Sequence, residues 1–110
     1  MADAAALYDE ADKLKDEGKL EESAGKLEEA VQADPSYALA HSGLAVVLQK
    51  LGRHEEASEH AKKVCDLEPN DPFSYTALSV TYQRAYAGTG NDAYIQMAEE
   101  AMAKSHMMGG

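Results

Sequence analysis

Several kinds of residue are scarce in this sequence of 110 residues: it has no tryptophan, one cysteine, three prolines and only 6% aromatic side chains. Basic residues are also few, since 10 Lys and Arg stand against 20 Asp and Glu and leave a net charge of −10. Nucleic acids and anionic membrane surfaces are bound by basic patches, so this balance argues against both as partners. A single cysteine, Cys65, cannot close an internal disulfide, which fits a reducing compartment, and we expect a cytoplasmic protein.

Long apolar runs and alternating segments are missing as well. No run reaches the roughly 18 residues that a membrane span needs, and no basic stretch followed by an apolar one indicates a secretory signal at the N-terminus. No useful length alternates with a period of two, which would indicate a strand. What is present is a 45% apolar content, enough for a folded core, arranged with helical spacing.

The apolar stripes and their breaks predict six helices, near 3–17, 20–33, 36–51, 54–67, 72–86 and 92–106. Gly18 and Gly52 lie where a left-handed residue would end a helix. The segment 34–36 predicts a stop followed by an N-cap at Ser36, and Asn70 or Asp71 is expected to cap the next helix. Short connections predict that sequential helices pack antiparallel.

The same pattern of residue types recurs along the chain at a fixed interval. The segment from Gly18 to Ser23 is echoed from Gly52 to Ala57, and the segment 29–35, which ends in a proline, is echoed by 63–69. Each matched position is separated from its partner by the same interval of 34 residues. A fixed period of this kind indicates one structural unit that is used repeatedly.

These residues resemble a tetratricopeptide repeat, a helix–turn–helix unit of about 34 residues. The small residue midway along its first helix is matched by Ala11, Ala45 and Ser79, and the turn glycine by Gly18 and Gly52. The resemblance implies an all-α fold, in which three stacked repeats of six helices form a short right-handed solenoid. It divides a single domain, 1–110, into repeats at about 4–37, 38–71 and 72–108.

The third repeat departs from the pattern. Tyr86 replaces the turn glycine, and segment 87–91 predicts a longer turn with three added residues. No polar capping helix follows the sixth helix, and the chain ends in a methionine-rich tail. Ile95, Met102 and Met107 are therefore candidates for self-association.

Family geometry places one stripe of each first helix on the concave side, where it would form a groove for a peptide. The candidate groove residues are Tyr8, Asp12, Lys15, Leu39, Ser42, Gly43, Val46, Gln49, Lys50, Phe73, Thr76, Ala77, Val80, Gln83 and Arg84. The apolar members lie outside the apolar stripe of each helix that is expected to form the core. They would therefore either bind a partner or pack between repeats. Gly43 would allow a ligand to approach the backbone closely.

One subclass of the family binds the C-terminal carboxylates of chaperones through Lys, Asn and Arg in this groove. The corresponding places here hold Tyr8, Asp12, Gly43, Phe73 and Ala77. The clamp is absent, and we expect no binding of acidic chaperone tails.

The sequence gives little support for a catalytic site or a metal site. The four histidines do not have the spacing of a zinc site, so we expect no metal and no cofactor, and His60 is expected to pair with Glu56 one turn away. Cys65 lies on an apolar stripe and is expected in the core. The sequence predicts a non-catalytic module that binds a protein or peptide partner in the groove. A homo-oligomerising scaffold that uses the last helix is the alternative, and a small catalytic or metal-binding helical protein is a third hypothesis.

Overall fold

The computed structural model describes residues 3–109, and over that range the chain forms six α-helices and no strand. The helices are α1 (Ala4–Asp16), α2 (Leu20–Ala33), α3 (Ala38–Lys50), α4 (His54–Leu67), α5 (Pro72–Thr89) and α6 (Ala93–Met107). The predicted all-α repeat architecture is confirmed. Residues 1, 2 and 110 of the expected single domain lie outside the described residues.

Local sequence signals account for most helix ends. Gly18 and Gly52 follow α1 and α3 with φ of 79° and 81°, a left-handed conformation that side chains with a Cβ rarely adopt. At the start of α5 the Asp71 carboxylate accepts a hydrogen bond from the Phe73 amide at 2.9 Å, and Pro72 occupies the first turn. These predictions from the sequence are confirmed.

The start of α3 differs from the prediction. The Asp34 carboxylate accepts hydrogen bonds from the Ser36 amide at 3.1 Å and from the Ser36 hydroxyl at 2.8 Å. Ser36 is thus tied to the preceding turn, and the N-cap position falls on Tyr37, which makes no side-chain capping bond. The prediction of an N-cap at Ser36 is wrong because Asp34 competes for its hydroxyl.

The longer turn predicted at 87–91 is also wrong, because α5 continues to Thr89 and Gly90 is the left-handed residue after it, with φ of 72°. A Cβ at Gly88 would overlap the ring of His54, so a glycine there lets this extra turn lie directly against the start of α4. The inserted residues therefore lengthen the helix rather than the loop.

The helices form two layers. α1, α3 and α5 lie side by side on one side of the molecule, while α2, α4 and α6 pack behind them. One buried cluster joins α1, α2 and α3, including Leu27, Leu44 and Val47, and a second joins α3 to α6 around Leu78 and Tyr82. Cys65 is buried in the second cluster, as expected.

The length and polarity of the helices bear on membrane insertion. Within residues 3–109, no helix combines the length and the apolar content that crossing a bilayer would take.

Candidate functional site

The main candidate site is a groove between α3 and α5, which we call the central groove; its volume is about 430 Å³. α3 and α5 form its walls and α4 contributes to its floor. It is lined by Ser42, Ala45, Val46, Gln49, Lys50, Ala61, Val64, Ser74, Ala77, Val80, Thr81 and Arg84.

The lining of the central groove is apolar with a cationic edge. Val46 of α3 and Val80 of α5 both line it and remain exposed to solvent. Lys50, the last residue of α3, and Arg84, in the C-terminal half of α5, also line it. None of the described lining residues is acidic, although acidic residues outnumber basic ones two to one in the chain.

A smaller recess of about 140 Å³, the N-terminal recess, lies between α1 and α3. Tyr8, Asp12 and Lys15 line it from α1, and Lys15 Nζ lies 3.4 Å from an Asp12 carboxylate oxygen. Ser42 and Val46 line both this recess and the central groove, so the two form one continuous concave surface.

Gly43 has a packing role that the sequence did not reveal. A Cβ built on it would lie 3.1 Å from the Leu27 side chain and 3.6 Å from Tyr8. The glycine therefore lets α3 pack closely against α1 and α2. The expectation that Gly43 serves the approach of a ligand is not needed to explain it.

The structure separates the predicted groove residues into four groups. Ser42, Val46, Gln49, Lys50, Ala77, Val80 and Arg84 line the central groove. Tyr8, Asp12, Lys15 and Gly43 line the N-terminal recess. Leu39 and Phe73 lie at the first turns of α3 and α5, outside both linings, and Phe73 is 75% exposed.

The fourth group, Thr76 and Gln83, faces α6 rather than the concave side. The Thr76 and Ser105 hydroxyl oxygens lie 2.7 Å apart, and the Gln83 amide donates to the Ser79 hydroxyl at 3.2 Å. Their placement in the groove is therefore wrong. Thr76 is engaged by the packing of α6, whereas Gln83 is exposed and lines a depression between α5 and α6.

Sequence reasoning also missed residues of the central groove. Ala61 and Val64 of α4 form part of its floor. Both are buried and also line the groove, a dual role that helical spacing cannot distinguish.

Two histidines form an unexpected pair behind the central groove. His41 of α3 is only 4% exposed, and its Nδ1 lies 3.0 Å from Nδ1 of His60 on α4. The His41 Nε2 lies 2.9 Å from the Pro35 carbonyl oxygen. A carbonyl oxygen only accepts, so His41 donates from Nε2, and whenever the His41 ring is neutral its Nδ1 accepts the His60 Nδ1–H.

The expected pair between His60 and Glu56 does not form. Arg53 instead binds Glu56 with two hydrogen bonds, of 3.0 and 2.8 Å. Burial is the main cause that lowers the pKa of His60, and the charge of His41 lowers it further. The carboxylates of Glu28, Glu59 and Glu56 act in the opposite direction.

The residues named for self-association lie at the last repeat. Ile95 and Met102 line a shallow, nearly apolar depression of about 280 Å³ between α5 and α6, which we call the end face. It is lined by Ser79, Gln83, Tyr86, Ile95, Ala98, Glu99 and Met102. Met107 lies outside this lining, on the last turn of α6, and is 86% exposed.

Metal ligands and the thiol of Cys65 are the remaining groups to place within residues 3–109. No group of three or more His, Cys, Asp or Glu residues in that range is placed to hold a metal ion. Burial raises the pKa of the Cys65 thiol to about 11, which keeps it protonated at neutral pH.

Comparisons with known proteins find tetratricopeptide repeats in sequence and in structure. A family model described as tetratricopeptide repeat matches residues 14–79. The TPR repeat-containing thioredoxin TTL4 of Arabidopsis thaliana is 40% identical over 54% of this chain; the match spans 11% of that relative's length.

Two solved structures share the fold. The second TPR of Spaghetti (RPAP3), bound to the HSP90 peptide SRMEEVD, superposes with a TM-score of 0.76 at 18% identity, over 96% of this chain and 91% of that one. MamA superposes with a TM-score of 0.81 at 22% identity, over 96% of this chain and 58% of that one.

Proposed function

Because this chain belongs to the tetratricopeptide repeat family, we propose that it is a non-catalytic interaction module that binds a peptide segment of a partner protein in its central groove. The single observation that carries the proposal is the lining of that groove. Val46 and Val80 leave apolar surface open to solvent where the core does not need it, and Lys50 and Arg84 stand beside it without an acidic neighbour in the lining. Such a surface fits an apolar side chain followed by a carboxylate.

The size of the groove limits what it can hold. A volume of about 430 Å³ takes a few side chains, not a folded domain. Burying two apolar side chains of the peptide would contribute about 3–6 kcal/mol. An exposed contact to Lys50 or Arg84 adds about 0.2–1 kcal/mol. Since a dissociation constant of about 1 μM needs roughly 8 kcal/mol, we expect micromolar or weaker affinity.

The preferred peptide differs from the one bound by the RPAP3 repeat. The positions that would supply a carboxylate clamp hold Tyr8, Asp12, Gly43, Phe73 and Ala77, and none of these is a cation. The cations of the central groove are Lys50, the last residue of α3, and Arg84, in the C-terminal half of α5. We therefore expect an internal acidic and apolar segment to bind, and an acidic chaperone tail to bind no better than a scrambled tail.

Selection from a random peptide library tests the proposal, followed by titration of the selected peptide against variants. Val46→Glu and Val80→Glu should each weaken binding at least tenfold, because each places a carboxylate in the apolar lining. Leu39→Glu is the matched control, since Leu39 is an exposed apolar residue of α3 outside the groove. Equal binding by Val46→Glu and Leu39→Glu would refute the groove as the binding site.

A second candidate function is a homo-oligomerising scaffold that uses α6. The observation that favours it is exposed apolar surface on that helix, with Met107 at 86% exposure. Light scattering over a wide range of concentrations tests it, and a mass that stays at 11.8 kDa throughout would refute it. We further propose a cytoplasmic location, since the single cysteine is buried as a free thiol.

A further inference from the structure

The end face between α5 and α6 is an apolar surface that no helix of residues 3–109 covers. We propose that it is a docking site for one amphipathic helix of another polypeptide, whose apolar stripe is flanked by lysine or arginine. This site is separate from the central groove and does not depend on a peptide binding there.

The equivalent surfaces of the first two helix pairs show which kind of element packs on such a surface. The equivalent surface of the first helix pair is covered by α3, where Leu27 of α2 packs in one cluster with Leu44 and Val47. That of the second pair is covered by α5, where Ala61 and Cys65 of α4 pack with Leu78. In both cases the occupant is a single helix that presents an apolar stripe.

The residues of α6 correspond to these covered positions one by one. The period of the repeat, together with the insertion that lengthens α5, aligns Ala98 with Ala61 and Leu27, and Met102 with Cys65 and Val31. Ile95 aligns with Ser58 and Ala24. At two of these three positions α6 thus carries a larger side chain than α4 does in the second repeat: Ile95 in place of Ser58, and Met102 in place of Cys65. It has the pattern of a helix-packing surface rather than that of a solvated one.

Charge indicates which kind of helix would bind. Glu99 is the one charged side chain among the described residues that line the end face, and Glu100 follows it on α6. The whole chain carries a net charge of −10. A helix flanked by basic residues is therefore drawn to this surface, while an acidic one is repelled.

A second copy of the chain fits less well. In a head-to-tail stack of two copies, α1 of one copy would cover the end face of the other. It would pack there as α3 and α5 pack on the equivalent surfaces within one chain. The α3 residues that pack against α2, Leu44 and Val47, correspond to Glu10 and Lys13 in α1, and both of these are exposed. A tail-to-tail pair would bring two copies of Glu99 into one interface. Both arrangements place charge on the apolar surface, so an outside helix is the better occupant.

The test uses a defined probe: a synthetic amidated peptide that carries residues 37–51, with two lysines added at each end. This segment contains α3, which covers the equivalent surface of the first pair. A scrambled peptide of the same composition controls for unspecific attraction to an acidic protein. We expect the probe to shift the backbone amide resonances of Ser79, Ile95, Ala98 and Met102, and the scrambled peptide to leave them in place.

Two matched substitutions on α6 locate the site. Ile95 and Met97 are exposed to nearly the same extent, 40% and 41%, but only Ile95 lines the end face. Ile95→Lys should weaken probe binding at least tenfold, and Met97→Lys should change it less than twofold. Glu99→Lys should weaken it about threefold at low salt and less at high salt, because salt screens exposed charges.

Other results would overturn the proposal. These are equal effects of Ile95→Lys and Met97→Lys, shifts confined to the central groove, no difference between the probe and the scrambled peptide, or a concentration-dependent dimer of the chain that Ile95→Lys abolishes. Val80→Glu separates this proposal from the function proposed for the central groove. It should leave probe binding unchanged, whichever way the peptide selection turns out.

Discussion

Acidification should destabilise this protein through His60, because the pKa of this residue is lowered in the folded state. Burial of the ring, whose Nδ1 lies 3.0 Å from the His41 Nδ1, is the main cause, and the charge of His41 lowers the pKa further. The carboxylates of Glu28, Glu59 and Glu56 only partly oppose this shift. The folded protein therefore takes up a proton at His60 less readily than the unfolded chain does.

The size of the effect has an upper bound set by one proton. Unfolded histidines titrate near pH 6.5, and one proton that the folded state does not take up costs at most about 1.4 kcal/mol per pH unit below that value. The His60 ring is partly exposed, so solvent screening makes the loss smaller than this bound. Between about pH 7 and pH 5 the free energy of unfolding should therefore fall by less than about 2 kcal/mol. The sign follows from the lowered pKa of His60: such a group contributes stability above the unfolded pKa, and that stability is lost as the pH falls through the folded pKa.

Urea unfolding followed by circular dichroism at several pH values measures this loss. His60→Gln is the informative variant, because an amide can donate to the His41 Nδ1 or, after flipping, accept from it. It should lose less stability than the wild type on acidification, because the group whose pKa is lowered in the folded state is no longer present. His106→Gln, an exposed histidine on α6, is the control and should behave as the wild type. The reasoning fails if His60→Gln keeps the full loss on acidification, or if His106→Gln removes it.

Three further predictions concern stability and reactivity. The pKa of Cys65 is raised to about 11, so its thiol should react with a disulfide reagent near pH 8 roughly 100-fold more slowly in the folded protein than in urea. The same raised pKa contributes stability below the unfolded value of about 8.5, and we expect unfolding measurements to show its loss as the pH rises towards 11. Gly52→Ala should cost about 1 kcal/mol in thermal or urea unfolding, because φ at this position is 81°, whereas Gly25→Ala, in the exposed middle of α2, should be neutral or stabilising. Asp71→Ala should cost about 1 kcal/mol through loss of the cap on the Phe73 amide, and Asp71→Asn should restore most of it; equal stability of both variants would contradict the capping role.

Much of the fold could be predicted because its signals are local. The end of α1 at Gly18 and the start of α5 at Asp71 depend on backbone conformation and capping within a few residues. The fixed period of the sequence then indicated that similar helix pairs would pack in the same way, and the tetratricopeptide architecture was confirmed. The two local errors, at Ser36 and at the end of α5, come from competition that spacing does not show. Asp34 takes the hydroxyl of Ser36, and Gly88 allows α5 to continue past His54.

The candidate site was predicted less completely. Val46 and Val80 were named correctly as lining residues of the central groove because they stood outside the core stripe. Thr76 and Gln83 lie on the same extended stripe but outside the central groove, where Thr76 contacts Ser105 of α6 and Gln83 lines the end face, and no pattern within α5 distinguishes them. Binding of a partner by the lining residues stays a prediction, which the variants at Val46 and Val80 test.

The sequence by itself determined where the helices lie and that they repeat, because capping, glycine conformation and apolar spacing act within one or two turns of the chain. Only the tertiary structure decided which side of each helix meets a neighbour, a groove or solvent. That choice brought together His41 and His60, 19 positions apart, and left the end face of α6 uncovered. The physical reason is that the direction of a helix face has meaning only relative to the helices packed against it, and those contacts join residues that are distant in the chain.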